Sequence, residues 1–171
     1  MTHGFTLRRA TPADAEALAR GAVEAVADYA AFAPPGWRAP APDHELADAH
    51  ACLGDPEYRC IVAEAGGAIV GQVATLPAGR AGRPVEEPGL AHLRNLFVDR
   101  PRWGSGLASA LMDAAVEAAR ERGFDELRLF VAEGQARARR FYEREGWRPA
   151  GAPFDEPGNG LRMVEYRRRL D

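Results

Sequence analysis

Leu96-Phe97-Val98-Asp99-Arg100-Pro101-Arg102-Trp103-Gly104-Ser105-Gly106-Leu107-Ala108 is the stretch on which the reading of this chain turns. An apolar run ends at Val98, a short turn follows, and Gly104 and Gly106 open a long helical pattern. Glycine lets the backbone come close to a ligand. The amides at a helix start, with the helix dipole behind them, favour an anion such as phosphate. A tight turn before a helix would use the same residues with no ligand. A dinucleotide fingerprint fits badly, because it wants glycine directly after the strand, a third glycine and an acid about twenty residues on. Here Ser109 fills the third position.

Upstream, Phe5 to Arg9 alternates apolar and polar, and Thr11-Pro12-Ala13-Asp14 offers an N-cap, a first-turn proline and an acid. Leu18, Ala22, Val26 and Tyr29 recur at helical spacing, which predicts a helix from about Pro12 to Ala31. Residues 33–42 hold four prolines and a glycine and read as a loop. A shorter helix runs from Asp43 to Leu53, ended by Gly54-Asp55-Pro56. Tyr58 to Ala65 and Ala68 to Leu76 form a hairpin at Gly66-Gly67. Pro77 to Gly89 is a loop, and Leu90 to Val98 is a third strand.

Downstream, Gly106 to Arg122 is a helix stopped by Gly123. Leu127 to Val131 is a strand, and Gln135 to Glu145 a helix closed by Gly146. Trp147 to Pro153 and Leu161 to Arg168 are closing strands around Pro157-Gly158-Asn159-Gly160. The order β-α-α-β-β-β-α-β-α-β-β predicts an α/β fold: one domain over residues 1–171, with a mixed, mostly antiparallel sheet of about six or seven strands and helices on both faces.

Composition narrows the function. A length of 171 residues with 46% hydrophobic and 27% charged residues excludes disorder. A net charge of −3 and a pI near 5.9 argue against a sequence-independent grip on nucleic acid. No apolar run approaches the ~20 residues of a membrane span. Met1-Thr2-His3-Gly4 carries no apolar leader, so a cytoplasmic chain without a membrane partner is expected. Cys52 and Cys60 are too few for a disulfide scaffold, and with His44 and His50 they show no metal-ligand spacing. All 22 basic residues are arginine, which removes Schiff-base and Walker-type lysine chemistry. Arg167-Arg168-Arg169 is expected on a solvated strand edge.

A second signature lies at Gln135-Ala136-Arg137-Ala138-Arg139-Arg140-Phe141-Tyr142-Glu143-Arg144-Glu145-Gly146-Trp147. Together the two stretches resemble the Gcn5-related N-acetyltransferase (GNAT) superfamily, and the element order is also that family's. The resemblance implies acetyl-CoA as cofactor. Its pyrophosphate would lie on the loop of Trp103, Gly104, Ser105, Gly106, Leu107 and Ala108, with Gln135 nearby. Its thioester and pantetheine would meet the backbone of Leu96, Phe97 and Val98. The chain departs from the pattern at Trp103, where the family has Arg or Gln, and at Gln135, where it has Asn. Arg100, Arg102, Arg137 and Arg140 are available to supply charge to the phosphates. The resemblance also implies Tyr142 as general acid on the departing sulfur. It further implies a homodimer, and an acceptor pocket between the first two helices and the last strands. Tyr29, Phe32, Trp37 and His44 would line one side of that pocket, and Phe154, Asp155 and Glu156 the other.

Acetyl transfer needs a neutral amine, yet an alkyl amine with a pKa near ~10.4 is neutral in only about one molecule per thousand at pH 7. His92, read as sharing a strand face with Arg94 and Leu96, is the candidate base, and Arg94 and Asn95 could line the same cleft. Glu64 or a water relay is the alternative. A tyrosine near pKa ~10, above the ~8.5 of a thiol, can hold its proton at neutral pH and still donate a hydrogen bond to the thiolate. Three functions follow: an N-acetyltransferase acting on a small-molecule or protein amine, a coenzyme A-binding sensor or partner module, and an acyltransferase with another acyl-CoA or acceptor.

Overall fold

The computed structural model describes residues 4–171; the start of the chain, Met1 to His3, lies outside the described residues. Eight strands form one sheet: β1 (Thr6–Arg9), β2 (Arg59–Ala65), β3 (Ala68–Pro77), β4 (Leu90–Val98), β5 (Glu126–Ala132), β6 (Arg148–Pro149), β7 (Phe154–Asp155) and β8 (Arg162–Arg169). Four helices accompany them: α1 (Ala15–Ala25), α2 (Pro42–Leu53), α3 (Leu107–Glu121) and α4 (Ala136–Arg144). The strand order is β1-β2-β3-β4-β5-β8-β6, with β7 also on β8. Every pairing is antiparallel except β4 with β5.

The sheet carries a core on each face. Leu107, Leu111, Met112, Ala115, Val116 and Ala119 of α3 and Tyr142 of α4 pack on Val73, Leu93, Leu127, Leu129 and Val131. On the other face, Leu18 of α1, with Ala49, Cys52 and Leu53 of α2, covers Tyr58, Cys60, Val62, Ala74 and Leu76. Asp14 fixes the entry to α1: its carboxylate accepts the Thr11 amide at 2.7 Å and the Arg8 guanidinium at 2.8 and 3.0 Å.

Four departures from the sequence reading have local causes. The first helix stops at Ala25 rather than Ala31, and Tyr29–Ala31 forms a separate 3₁₀ turn. No proline or glycine breaks it; Tyr29 and Phe32 turn away to reach Gln135 and Gly134 instead. The strand expected over Trp147 to Pro153 shrinks to Arg148–Pro149, because two prolines and Gly151 cannot sustain a ladder. Phe154–Asp155, assigned to neither closing strand, pairs with Met163 and Arg162 as β7 and brings the sheet to eight strands. The arginine run is only partly on an edge: Arg167 lies between β5 and β6, while Arg168 and Arg169 pair with β5 alone. There Arg167 bonds Glu87 and Glu126 at 2.8 and 2.9 Å and Glu165 at 2.6 Å.

Candidate functional site

β4 and β5 part almost as soon as they meet. Their pairing is confined to Leu90, Ala91 and His92 against Glu126, Leu127 and Arg128. From Leu93 to Val98 the side of β4 facing β5 has no strand partner among the described residues. The parted strands leave a fork whose apex is the His92–Arg128 pair, with a row of β4 backbone groups free to bond a ligand.

A bulge adds to this. Asn95 has φ +56°, and the register against β3 slips between Gln72 and Ala74. One extra residue reverses the inward–outward alternation. Before it, Leu93 packs under α3, while Arg94 reaches α2 and bonds Asp48 at 3.0 Å. After it, Leu96 and Val98 pack toward α3, and Phe97 lies against Gly21 of α1. The expected single face of His92, Arg94 and Leu96 therefore does not exist; Leu96 faces the opposite layer.

At the end of β4 the glycine loop takes the form its sequence suggests. Gly104 has φ +80° and Gly106 φ +87°, conformations that favour glycine, and beyond the adjoining residues no atom lies within 4 Å of where a Cβ would stand on either. Ser105 Oγ donates to the Arg102 carbonyl at 2.6 Å, bracing the turn. Among the described residues, the amides of Gly104, Gly106, Ala108 and Ser109 have no protein acceptor. Leu107 N–H reaches only Ser105 Oγ, at 3.4 Å. Four free amides above an open loop, at the N-terminus of a 15-residue helix, fit a pyrophosphate. The free edge of β4 fits the amide-bearing arm of pantetheine.

Trp103 stands beside this loop. It is 42% exposed, its Nε1 donates to the Val98 carbonyl at 2.9 Å, and Arg137 and Arg100 lie over its ring at 3.6 and 4.8 Å from the centroid.

Tyr142 is buried between Phe141, Trp147 and Tyr166, with ring centroids 5.5 to 6.2 Å away. Burial pushes its hydroxyl pKa above the ordinary tyrosine range, and the neighbouring Tyr29 adds to the shift. The ring belongs to the same cluster as Leu96 and Val131, which flank the fork. Helical side chains lean toward the N-terminus, so its hydroxyl is carried toward the first turn of α4. Gln135 precedes that turn, and its Oε1 accepts from Tyr29 at 3.2 Å. Burial, and next Glu156, push the Tyr29 pKa up to about 12.

The aromatic side of the expected acceptor pocket forms a cluster. Tyr29 packs on Phe32 at 5.1 Å and on Trp37 at 6.1 Å. The acidic side divides. Glu156 lies near Tyr29, whereas Asp155 pairs with Arg162 at 3.2 Å, and Phe154 meets Phe130 edge-on beneath Arg83. His44 is exposed on α2.

His92 corrects the argument for a histidine base. It is 6% exposed, its Nδ1 accepts from Arg128 Nε at 3.1 Å, and its ring lies 4.8 Å from that of Phe130. Burial first, then the Arg128 charge, lowers its pKa to about 3, far from the neutral range that general-base work requires. Glu64 is held by Arg8 at 2.9 Å on β2, two strands away from β4. Arg128 itself escaped the sequence reading, although a lone charge inside Leu127 to Val131 was the available signal. Its guanidinium, 1% exposed, bonds His92 and the carbonyls of Ala78 and Gly82, which pins the Pro77 to Gly89 loop over the apex. Cys60 is buried, which pushes its thiol up to about 12, and no cluster of potential metal ligands occurs among the described residues.

Comparison with known proteins agrees with this geometry. Over 54 residues the chain is 44% identical to the mycothiol acetyltransferase of Beutenbergia cavernae, a match covering 32% of this chain and only 18% of that protein. A GNAT-family acetyltransferase from Staphylococcus aureus superposes with a TM-score of 0.76 at 16% identity, over 98% of this chain and 99% of that one. The yncA protein of Salmonella typhimurium, solved with its cofactor acetyl-CoA, superposes with a TM-score of 0.71 at 22% identity, over 98% and 94%. These structural likenesses establish a shared fold. The model of the acetyltransferase (GNAT) family matches residues 23–147, so the chain is a member of that family, whose cosubstrate is acetyl-CoA.

Proposed function

We propose that this acetyltransferase moves an acetyl group from acetyl-CoA directly to a primary amine of a small molecule or protein, with Tyr142 as the general acid. The observation that carries the reading is Tyr142 itself. It is a buried hydroxyl, kept protonated by its surroundings, on the helix that follows the fork and beside the residues lining it. When bound, acetyl-CoA supplies the activated acetyl group and a sulfur leaving group.

The chain's own residues divide the remaining work. The amides of Gly104, Gly106, Ala108 and Ser109 hold phosphate oxygens, and the β5-facing edge along Leu96, Phe97 and Val98, where the Val98 carbonyl is already taken by Trp103, orients the pantetheine arm. A β4 amide aimed at the thioester oxygen stabilises charge that develops there. Tyr142 delivers a proton to the sulfur as it departs. Tyr29, Phe32, Trp37 and Glu156 form an aromatic wall with one carboxylate, suited to a cationic amine with an apolar portion. Arg94 and Asn95 lie on β4 toward α1 and α2, with Arg94 held by Asp48. With His92 neutral and committed to Arg128, the amine gives its proton to solvent.

The test is release of free coenzyme A from acetyl-CoA across a panel of primary amines, amino acids and peptides. Acetylated amine formed in step with coenzyme A supports the reading. Micromolar binding of acetyl-CoA with no turnover on any acceptor would favour a coenzyme A-binding module instead.

A further inference from the structure

Arg137 sits where a cation has little to hold it. It is the second residue of α4, at the positive end of the helix dipole, and no acid occupies the first turn. Among the described residues it makes no ion pair and no hydrogen bond; its partner is the Trp103 ring, 3.6 Å beneath the guanidinium. Trp103 is fixed in turn by its bond to the Val98 carbonyl, and it immediately precedes Gly104. The uncompensated guanidinium is thus held beside four uncompensated amides at the start of a second helix, α3. Positive groups gathered this way from two elements repel one another and become favourable when an anion lies among them.

We infer that Trp103 is a positioning residue which holds the Arg137 guanidinium over the phosphates of coenzyme A. The side-chain phosphate contact that Arg or Gln would make at position 103 then arrives from α4 by way of a stacked indole. Arg100 stacks more loosely on the same ring and is already paired with Asp28 at 2.7 Å, so it steadies the indole and offers less free charge. The inference rests on the glycine loop being the phosphate cradle.

Calorimetric titration of the full chain with coenzyme A, at low and at high ionic strength, tests both. We expect Trp103→Ala and Arg137→Ala each to weaken binding about fivefold to thirtyfold. The double variant should bind within about twofold of the weaker single variant, because each removes the same contact. Trp103→Phe keeps a ring face and should stay within about threefold of the native chain. The native affinity should fall with salt more steeply than that of either alanine variant. Unchanged affinity in Trp103→Ala, or losses that multiply in the double variant, would overturn the positioning role while leaving the cradle intact. Failure of the folded native chain to bind coenzyme A would overturn the cradle itself, and the relay with it.

Discussion

The hydroxyl of Tyr29 donates to Gln135 Oε1 at 3.2 Å, tying the turn after α1 to the start of α4 across the fork between β4 and β5. Phe32, one turn on, lies so close to Gly134 that a Cβ there would stand 2.5 Å from its Cγ. Gly134→Ala is therefore expected to cost about 1–3 kcal/mol, and most of that cost should vanish in a Phe32→Ala background. Urea midpoints of the two single variants and the double variant measure the coupling. Equal costs in both backgrounds would mean that Phe32 does not pack there.

Tyr142→Phe keeps the ring and its packing and removes only the proton donor. Turnover is expected to fall about tenfold to a thousandfold, with coenzyme A affinity within about threefold of native. Steady-state kinetics beside calorimetry separates the two, and undiminished kcat would remove the acid role.

Gly104→Val and Gly106→Val place a branched side chain at φ +80° and +87°, in space that is open in the structure. Such a substituent occupies the anion's approach and strains the turn. Each variant should lose coenzyme A binding by at least about a hundredfold while its core remains folded by circular dichroism. Native affinity in either would refute the loop as a cradle.

His92 gives the chain a pH signature unrelated to catalysis. Its folded pKa, lowered to about 3, lies below the ~6.5 of an unfolded histidine. The unfolded chain therefore binds a proton that the folded chain refuses as pH drops below ~6.5, and stability falls toward the folded pKa. At pH 5.5 the loss relative to pH 7.5 is about 1 kcal/mol from this residue. Denaturant titrations at the two pH values should differ by that amount more in the native chain than in His92→Gln. An identical pH dependence in both would show that the imidazole is not the source.

What could be read from the chain in advance was local. The Gly66-Gly67 hairpin, the glycine loop into α3, and the spacing that puts Tyr142 two turns beyond Gln135 are all short-range patterns. What escaped was set by distant partners. Nothing near Ala25 says helix; stop, because the break is imposed by Gln135 and Gly134, more than a hundred residues on. Alternation along β4 fails at Asn95, a residue able to take a positive φ, and the bulge sends Leu96 to the layer opposite Arg94. Arg128, passed over inside Leu127 to Val131, is a buried anchor for a loop.

The three residue pairs between β4 and β5 have a mechanical meaning. Strand order puts β1 and β8, the first and last strands of the chain, in opposite halves of the sheet. Tension applied between the termini is shared by that short ladder, the α3 connection that bridges it and side-chain ties such as Tyr29 to Gln135 and Arg167 to Glu87. A donor molecule bonded along the free edge of β4 would add a second set of rungs at the weakest joint. Ligand occupancy should then raise the force needed to pull the halves apart, so that binding is felt as stiffness across the whole sheet.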